Sequence, residues 1–279
     1  MTTGSTRRGL TRLAVAALVL GASGTAAAEP HVGRIASAAL GGVREYTVRV
    51  PAGYERAPRR RYPVIYVLDG PPLDAQTAEA AAANATQGVS PALIVVGIPN
   101  MRQGERARDF LPPFVRVTRR DGSAFVGGAD RFLRFLRDEL IPRVERDYRT
   151  AAPRMIAGHS LGAVFVCYSL TEAPSLFAAR FAHSPALWRG ASQVAGSLSA
   201  WLDGRPGVGG YLYLTVGAEE GDSLQSGFRT LGAVLEAHPS TPGLRWDARV
   251  TPGAVHETNV ALATPAALAA YFARTTARR

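Results

Sequence analysis

Met155-Ile156-Ala157-Gly158-His159-Ser160-Leu161-Gly162-Ala163-Val164-Phe165-Val166-Cys167 decides how this chain folds. It passes from a short apolar run suited to a strand, through a serine flanked by glycines, into an apolar run suited to a helix. The pattern Gly-x-Ser-x-Gly in that setting predicts a sharp strand-to-helix turn. Glycine is needed on both flanks because bulkier side chains would collide there. The turn holds the Ser160 hydroxyl above the sheet, where the helix N-terminus favours developing negative charge. A glycine-rich turn with a capping serine satisfies the motif alone; the strand before it and the helix after it argue for a nucleophile.

Working outward, Tyr46 to Val50 alternates apolar and polar residues before a Pro51-Ala52-Gly53 turn, as a strand does. Tyr62 to Leu68 and Ala92 to Ile98 are continuous apolar, β-branched runs, the mark of strands buried on both faces. Ala178 to Ala182, Tyr211 to Val216 and Leu244 to Val250 read as further strands. Helices are predicted over Ala75 to Ala85, over Arg131 to Tyr148 with Pro142 as a kink, and over Leu161 to Leu170. Two more are predicted over Phe228 to Ala237 and over Pro265 to Arg274, the last capped by Thr264. Strand and helix alternate throughout, which predicts an α/β fold with a mostly parallel central sheet and helices on both faces. Ligands in such sheets bind beyond the carboxyl ends of the strands.

Composition narrows the function classes. The 279 residues are 47% hydrophobic and 19% charged, enough for one sizeable core and short of a reason for two. Arg7, Arg8 and Arg12, the apolar stretch Leu13 to Ala22 and the small residues Ala26-Ala27-Ala28 predict a signal peptide over residues 1–28. The mature domain is expected over 29–279, exported to the periplasm or beyond. That apolar stretch is too short to span a bilayer, so no membrane anchor is expected. The single cysteine, Cys167, excludes an internal disulfide and a cysteine-built metal cluster. The formal net charge of +10 comes from scattered arginines without the aromatic-interleaved stripe that nucleic-acid binding needs.

A serine nucleophile needs a base within hydrogen-bond reach, and five histidines compete for that role. His256 stands in a loop between the last strand and the final helix, in the order Ser, acid, His. His183, beside Ser184-Pro185 at another strand end, is its main rival. His159 is expected to be fixed inside the elbow, pointing away from the hydroxyl. Three carboxylates follow the Tyr211 to Val216 strand: Glu219, Glu220 and Asp222. Gly221-Asp222-Ser223-Leu224 imitates the signature of another esterase group but lies too late in the chain, and reads as a helix start.

Four stretches carry a resemblance: Tyr62-Pro63-Val64-Ile65-Tyr66-Val67-Leu68-Asp69-Gly70, Arg108-Asp109-Phe110-Leu111-Pro112, Gly158 to Gly162, and Ser184-Pro185-Ala186-Leu187-Trp188. In that order they resemble the putative esterase family of α/β-hydrolases, which includes esterase D, the mycolyltransferases and the siderophore esterases. The second and fourth point toward the siderophore-esterase branch. The resemblance implies an α/β-hydrolase fold and a serine esterase without metal or organic cofactor. Its substrate would be a small-molecule ester, such as a siderophore trilactone or a similar bulky ester. It implies Glu220, three residues after Gly217, as the acid beside Ser160 and His256. It implies Leu161 as one backbone oxyanion donor. The family's second donor position is here Pro71, which has no N–H, nor has Pro72; either Gly70 or Leu73 donates instead or the loop is rebuilt, and Gly70 is the expected replacement. Trp188, Phe110 and Arg108 are expected to contact substrate, with Arg106 and Arg189 nearby. Acyl transfer of the mycolyltransferase type is one alternative, and a catalytically weak ester-binding protein, motivated by Pro71, is the other. The sequence leaves the oligomeric state open.

Overall fold

Side chains of Tyr62–Leu68 (β3) alternate across the middle of the sheet: Val64, Tyr66 and Leu68 enter one core and Ile65 and Val67 the other. Both sets are buried, which is why the strand reads as an unbroken apolar run. The computed structural model describes residues 1, 29–100, 103–118, 121–187, 192–204, 207, 209–239 and 241–276. Most of the expected leader, together with Trp188 and Arg189, therefore lies outside the described residues.

An eight-stranded sheet runs in the order β1-β2-β4-β3-β7-β8-β9-β10. Its strands are His31–Ser37 (β1), Gly42–Arg49 (β2), β3, Ile94–Ile98 (β4), Thr150–His159 (β7), Ala179–His183 (β8), Gly210–Gly217 (β9) and Leu244–Thr251 (β10). Arg116–Thr118 (β5) and Ala124–Val126 (β6) form a separate hairpin. β1 and β2 pair antiparallel, β2 joins β4 antiparallel, and every later pairing is parallel. Leu73–Thr86 (α1) and Asn259–Thr276 (α8) cover one face through Ala81, Leu268, Tyr271 and Phe272. Leu161–Glu172 (α5), Ser192–Asp203 (α6) and Asp222–Ala237 (α7) cover the other through Phe165, Leu198 and Leu231. This is the α/β-hydrolase fold. Among the described residues no helix is long and apolar enough to cross a membrane.

Two helix expectations are corrected. The segment predicted as one helix over 131–148 is Ala129–Arg134 (α3), a π-helical turn Phe135–Leu140 and Ile141–Asp147 (α4). Pro142 sits at the start of α4, directly after the widened turn. The closing helix starts at Asn259, with Pro265 inside it rather than at its first position. Asn259 is fully buried and hydrogen-bonded to two neighbouring strand ends, and those anchors set the start. Gln103–Phe110 (α2), β1 and the β5–β6 hairpin carry too little periodicity to be predicted. Asp222 does begin α7, as the reading of Gly221-Asp222 expected.

Candidate active site

β7 ends at His159 and α5 begins at Leu161, leaving Ser160 alone in the turn with φ 59° and ψ −117°. That left-handed backbone is sparsely populated and costs on the order of 1–3 kcal/mol. The surroundings fix it: Ser160 N–H donates to the His183 carbonyl at 3.0 Å, and the Ser160 carbonyl accepts from Ala163 and Ala186. A Cβ on Gly158 would lie 2.4 Å from the Gly162 carbonyl oxygen, so only glycine fits there. A Cβ on Gly162 would lie 3.2 Å from Asp69 Oδ2, a tight fit rather than a forbidden one. Ser160 is partly exposed, and among the described residues its Oγ makes no hydrogen bond.

Glu220, just past β9, directs Oε2 to His256 Nδ1 at 3.1 Å. Its other oxygen accepts from Ser184 Oγ at 2.6 Å and from the Gly217 N–H at 2.7 Å. Burial would raise this carboxyl, but the bonds from His256, Ser184 and Gly217 outweigh it and hold Glu220 below the usual carboxylate range. Glu219 and Asp222 are exposed. Of the three carboxylates left open by the sequence, Glu220 is the one that meets His256. With Nδ1 bound to a carboxylate, the imidazole carries its proton there and keeps an open acceptor at Nε2.

The other histidines are placed differently. His183 is buried at 1% exposure, directs Nδ1 to Thr215 Oγ1 at 2.9 Å, and is pushed down to about 4 by burial. His159 stays inside the elbow, but its ring packs on the His256 ring with centroids 4.2 Å apart. Burial, then the proximity of His256 and His183, pushes it down to about 3. A neutral imidazole, that of His159, thus packs against the one that contacts Glu220.

Sequence reasoning missed the support for that carboxylate. Ser184, at φ 52°, donates to Glu220 while accepting from Asn259 Nδ2 at 2.7 Å. The same Asn259 amide donates to Thr215 Oγ1 at 3.1 Å. Ser184, Thr215 and Asn259 are all fully buried. Polar residues at strand ends were the only available signal, and their partners lie 36 to 75 residues away.

On the opposite flank, Asp69 (φ 72°) and Gly70 (φ 57°) turn sharply after β3. A Cβ on Gly70 would lie 2.8 Å from Pro99 Cα. Among the described residues the N–H groups of Gly70 and Leu161 have no acceptor. Of the expected substrate contacts, Phe110 is corrected: it has no exposed surface and packs edge-on to Phe132 and against Phe165, as a core aromatic does. Arg108 is tied to Asp109 at 2.8 Å and keeps about a third of its side chain exposed. Arg106 is committed to Asp69. Trp188 and Arg189 are outside the described residues.

The model of the family described as "Putative esterase" matches residues 37–257. The ferri-bacillibactin esterase BesA of Bacillus subtilis is 34% identical over 157 residues, 52% of this chain and 54% of that protein. The apo-salmochelin esterase of Escherichia coli is 27% identical over 167 residues, 57% of this chain and 52% of that protein. The chain thus spans about half the length of these curated relatives. A crystal structure of an IroE-like serine hydrolase from Shewanella oneidensis superposes with a TM-score of 0.71 at 25% identity, covering 87% of this chain and 79% of that one. With a family model matching most of its length and the fold to accompany it, this chain belongs to the Putative esterase family.

Proposed function

We propose that this protein is an exported serine carboxylic-ester hydrolase acting through a Ser160 acyl-enzyme. The observation that carries the reading is the Glu220–His256 hydrogen bond, with His256 packed on the residue preceding the elbow serine. Ser160 Oγ attacks the ester carbonyl carbon as His256 Nε2 takes its proton. The oxyanion is received by the N–H groups of Leu161 and Gly70, both free of other acceptors among the described residues. Collapse of the intermediate breaks the acyl–oxygen bond, and His256 returns the proton to the departing alcohol. Water then attacks the acyl-enzyme by the same route and frees the acid. Glu220 holds the imidazole in its Nδ1–H form and stabilises the imidazolium between these steps. The Ser160–His256 bond closes on substrate binding; hydrogen bonds of this kind are commonly long in unliganded enzymes.

The substrate class is a siderophore trilactone or a similarly bulky ester. Support comes from the curated relatives, named for ferri-bacillibactin and apo-salmochelin. The leader-like residues 1–28 support export. A panel of short p-nitrophenyl esters, feruloyl and acetyl sugars, and catecholate trilactones, run with the parent and Ser160→Ala, tests the reading. The expected result is turnover of trilactones by the parent and a loss of at least ~10³-fold in kcat in the variant. Equal rates in the two proteins would overturn the mechanism.

A further inference from the structure

We infer that Arg106 is a positioning residue for the oxyanion hole, holding the two backbone donors in register through Asp69 and the elbow carbonyl. The inference rests on the acyl-enzyme reading of this site.

Pro71 and Pro72 bring no N–H to the turn after β3; the nearest N–H before them is that of Gly70, which has no acceptor among the described residues and whose direction depends on the conformation of Asp69-Gly70. Both residues are left-handed, and Asp69 is not a glycine. Something must hold it there. The Asp69 carboxylate accepts from Arg106 Nε at 2.5 Å through Oδ1 and from Arg106 NH2 at 2.9 Å through Oδ2, the two-pronged geometry that guanidinium and carboxylate share. Asn100, in the loop after β4, donates to Oδ1 as well.

The same guanidinium reaches the other donor. Arg106 NH2 also donates to the His159 carbonyl at 3.2 Å, one residue before Ser160 and two before Leu161. Asp69 Oδ2 in turn stands against Gly162 closely enough that a Cβ there would sit 3.2 Å away. One planar group on α2 therefore bridges the turn that presents Gly70 and the elbow that presents Leu161. The guanidinium also lies over the Phe110 ring, whose centroid is 5.6 Å from its carbon. The buried Phe110 thus supports this arginine. Lysine, with a single ammonium, cannot make the two-pronged contact and the third bond together.

The experiment compares Arg106→Ala, Arg106→Lys and Asp69→Asn with the parent in kcat, KM, melting temperature and rate of fluorophosphonate labelling of Ser160. Arg137→Ala, which removes an exposed arginine paired with Asp138, is the control. The expected result is a fall in kcat and in labelling rate of roughly 10- to 100-fold in Arg106→Ala, with KM changed less than about twofold. Arg106→Lys should recover only part of the loss, and added guanidinium ion at millimolar levels should restore part of the Arg106→Ala activity. Should Arg106→Ala fail to fold, Asp69→Asn carries the test, with the same expected split between kcat and KM. Unchanged kcat in the folded variants, or a loss confined to KM or to melting temperature, overturns the inference. A parent that neither labels nor turns over esters overturns the acyl-enzyme reading itself, and the inference with it.

Discussion

Glu220 shows how much a single side chain depends on donors far away in sequence. Its two oxygens accept three hydrogen bonds, from His256, Ser184 and Gly217, and these bonds prevail over burial to keep it ionised. Glu220→Gln keeps the shape, removes the charge that orients the imidazole, and should lower kcat by about 10²- to 10⁴-fold with little change in KM, read from steady-state kinetics on a p-nitrophenyl ester. Pro71 is a second test at this scale. Because Gly70 already offers a free N–H, Pro71→Ala is expected to leave kcat within about twofold; a tenfold gain would show that position 71 is the missing donor. What was legible here followed the reach of the signal. His256 stood out because it lies after a strand, where this topology collects polar groups; the same position left Glu219, Glu220 and Asp222 open, and the family resemblance singled out Glu220 among them. Ser184 and Asn259 did not, because a serine and an asparagine are ordinary loop and helix residues until their partners are known; Arg106 was read as lying near substrate, and its pairing with Asp69 was not legible. Phe110 misled for the opposite reason: an aromatic beside a polar motif suits a core as well as a pocket, and its contacts with Phe132 and Phe165 settle which.

At the scale of elements, the strands of the central sheet were readable because burial on both faces leaves an unbroken apolar run, as in β3, β4 and β9. Helix ends were less so. The closing helix begins six residues before Pro265 because Asn259 is pinned to Ser184 and Thr215, a tertiary constraint that overrides the local preference of proline for a first turn. The widened turn Phe135–Leu140 likewise reflects the chain adjusting to Pro142 while keeping Phe135, Leu136 and Leu140 buried. The elbow is the tightest junction between two elements. Gly158→Ala places a methyl 2.4 Å from the Gly162 carbonyl and must push β7 and α5 apart. The expected cost is at least ~2 kcal/mol of unfolding free energy, measured as a shift in the urea midpoint, together with loss of activity. An unchanged midpoint would show that this junction gives way.

For the whole molecule, acid should be the sensitive direction. His183 is pushed down to about 4 and His159 to about 3, both first by burial. An unfolded histidine titrates near ~6.5, so between that pH and the folded value the unfolded chain binds protons the folded chain refuses. Stability therefore declines as pH falls from about 6.5 toward 4, by up to ~1.4 kcal/mol per pH unit for His183 alone. Urea midpoints measured at pH 7, 6 and 5 should fall in that order, and His183→Asn should flatten the trend by about one proton.

The groups that converge on the elbow come from the exits of β3, β7, β8, β9 and β10, between Asp69 and Asn259 in sequence. No single fragment of the chain owns them. Chemistry assembled in this way behaves as a reporter of the intact sheet: a partly unravelled molecule, or either half of a cut one, has lost the meeting point before it has lost most of its strands.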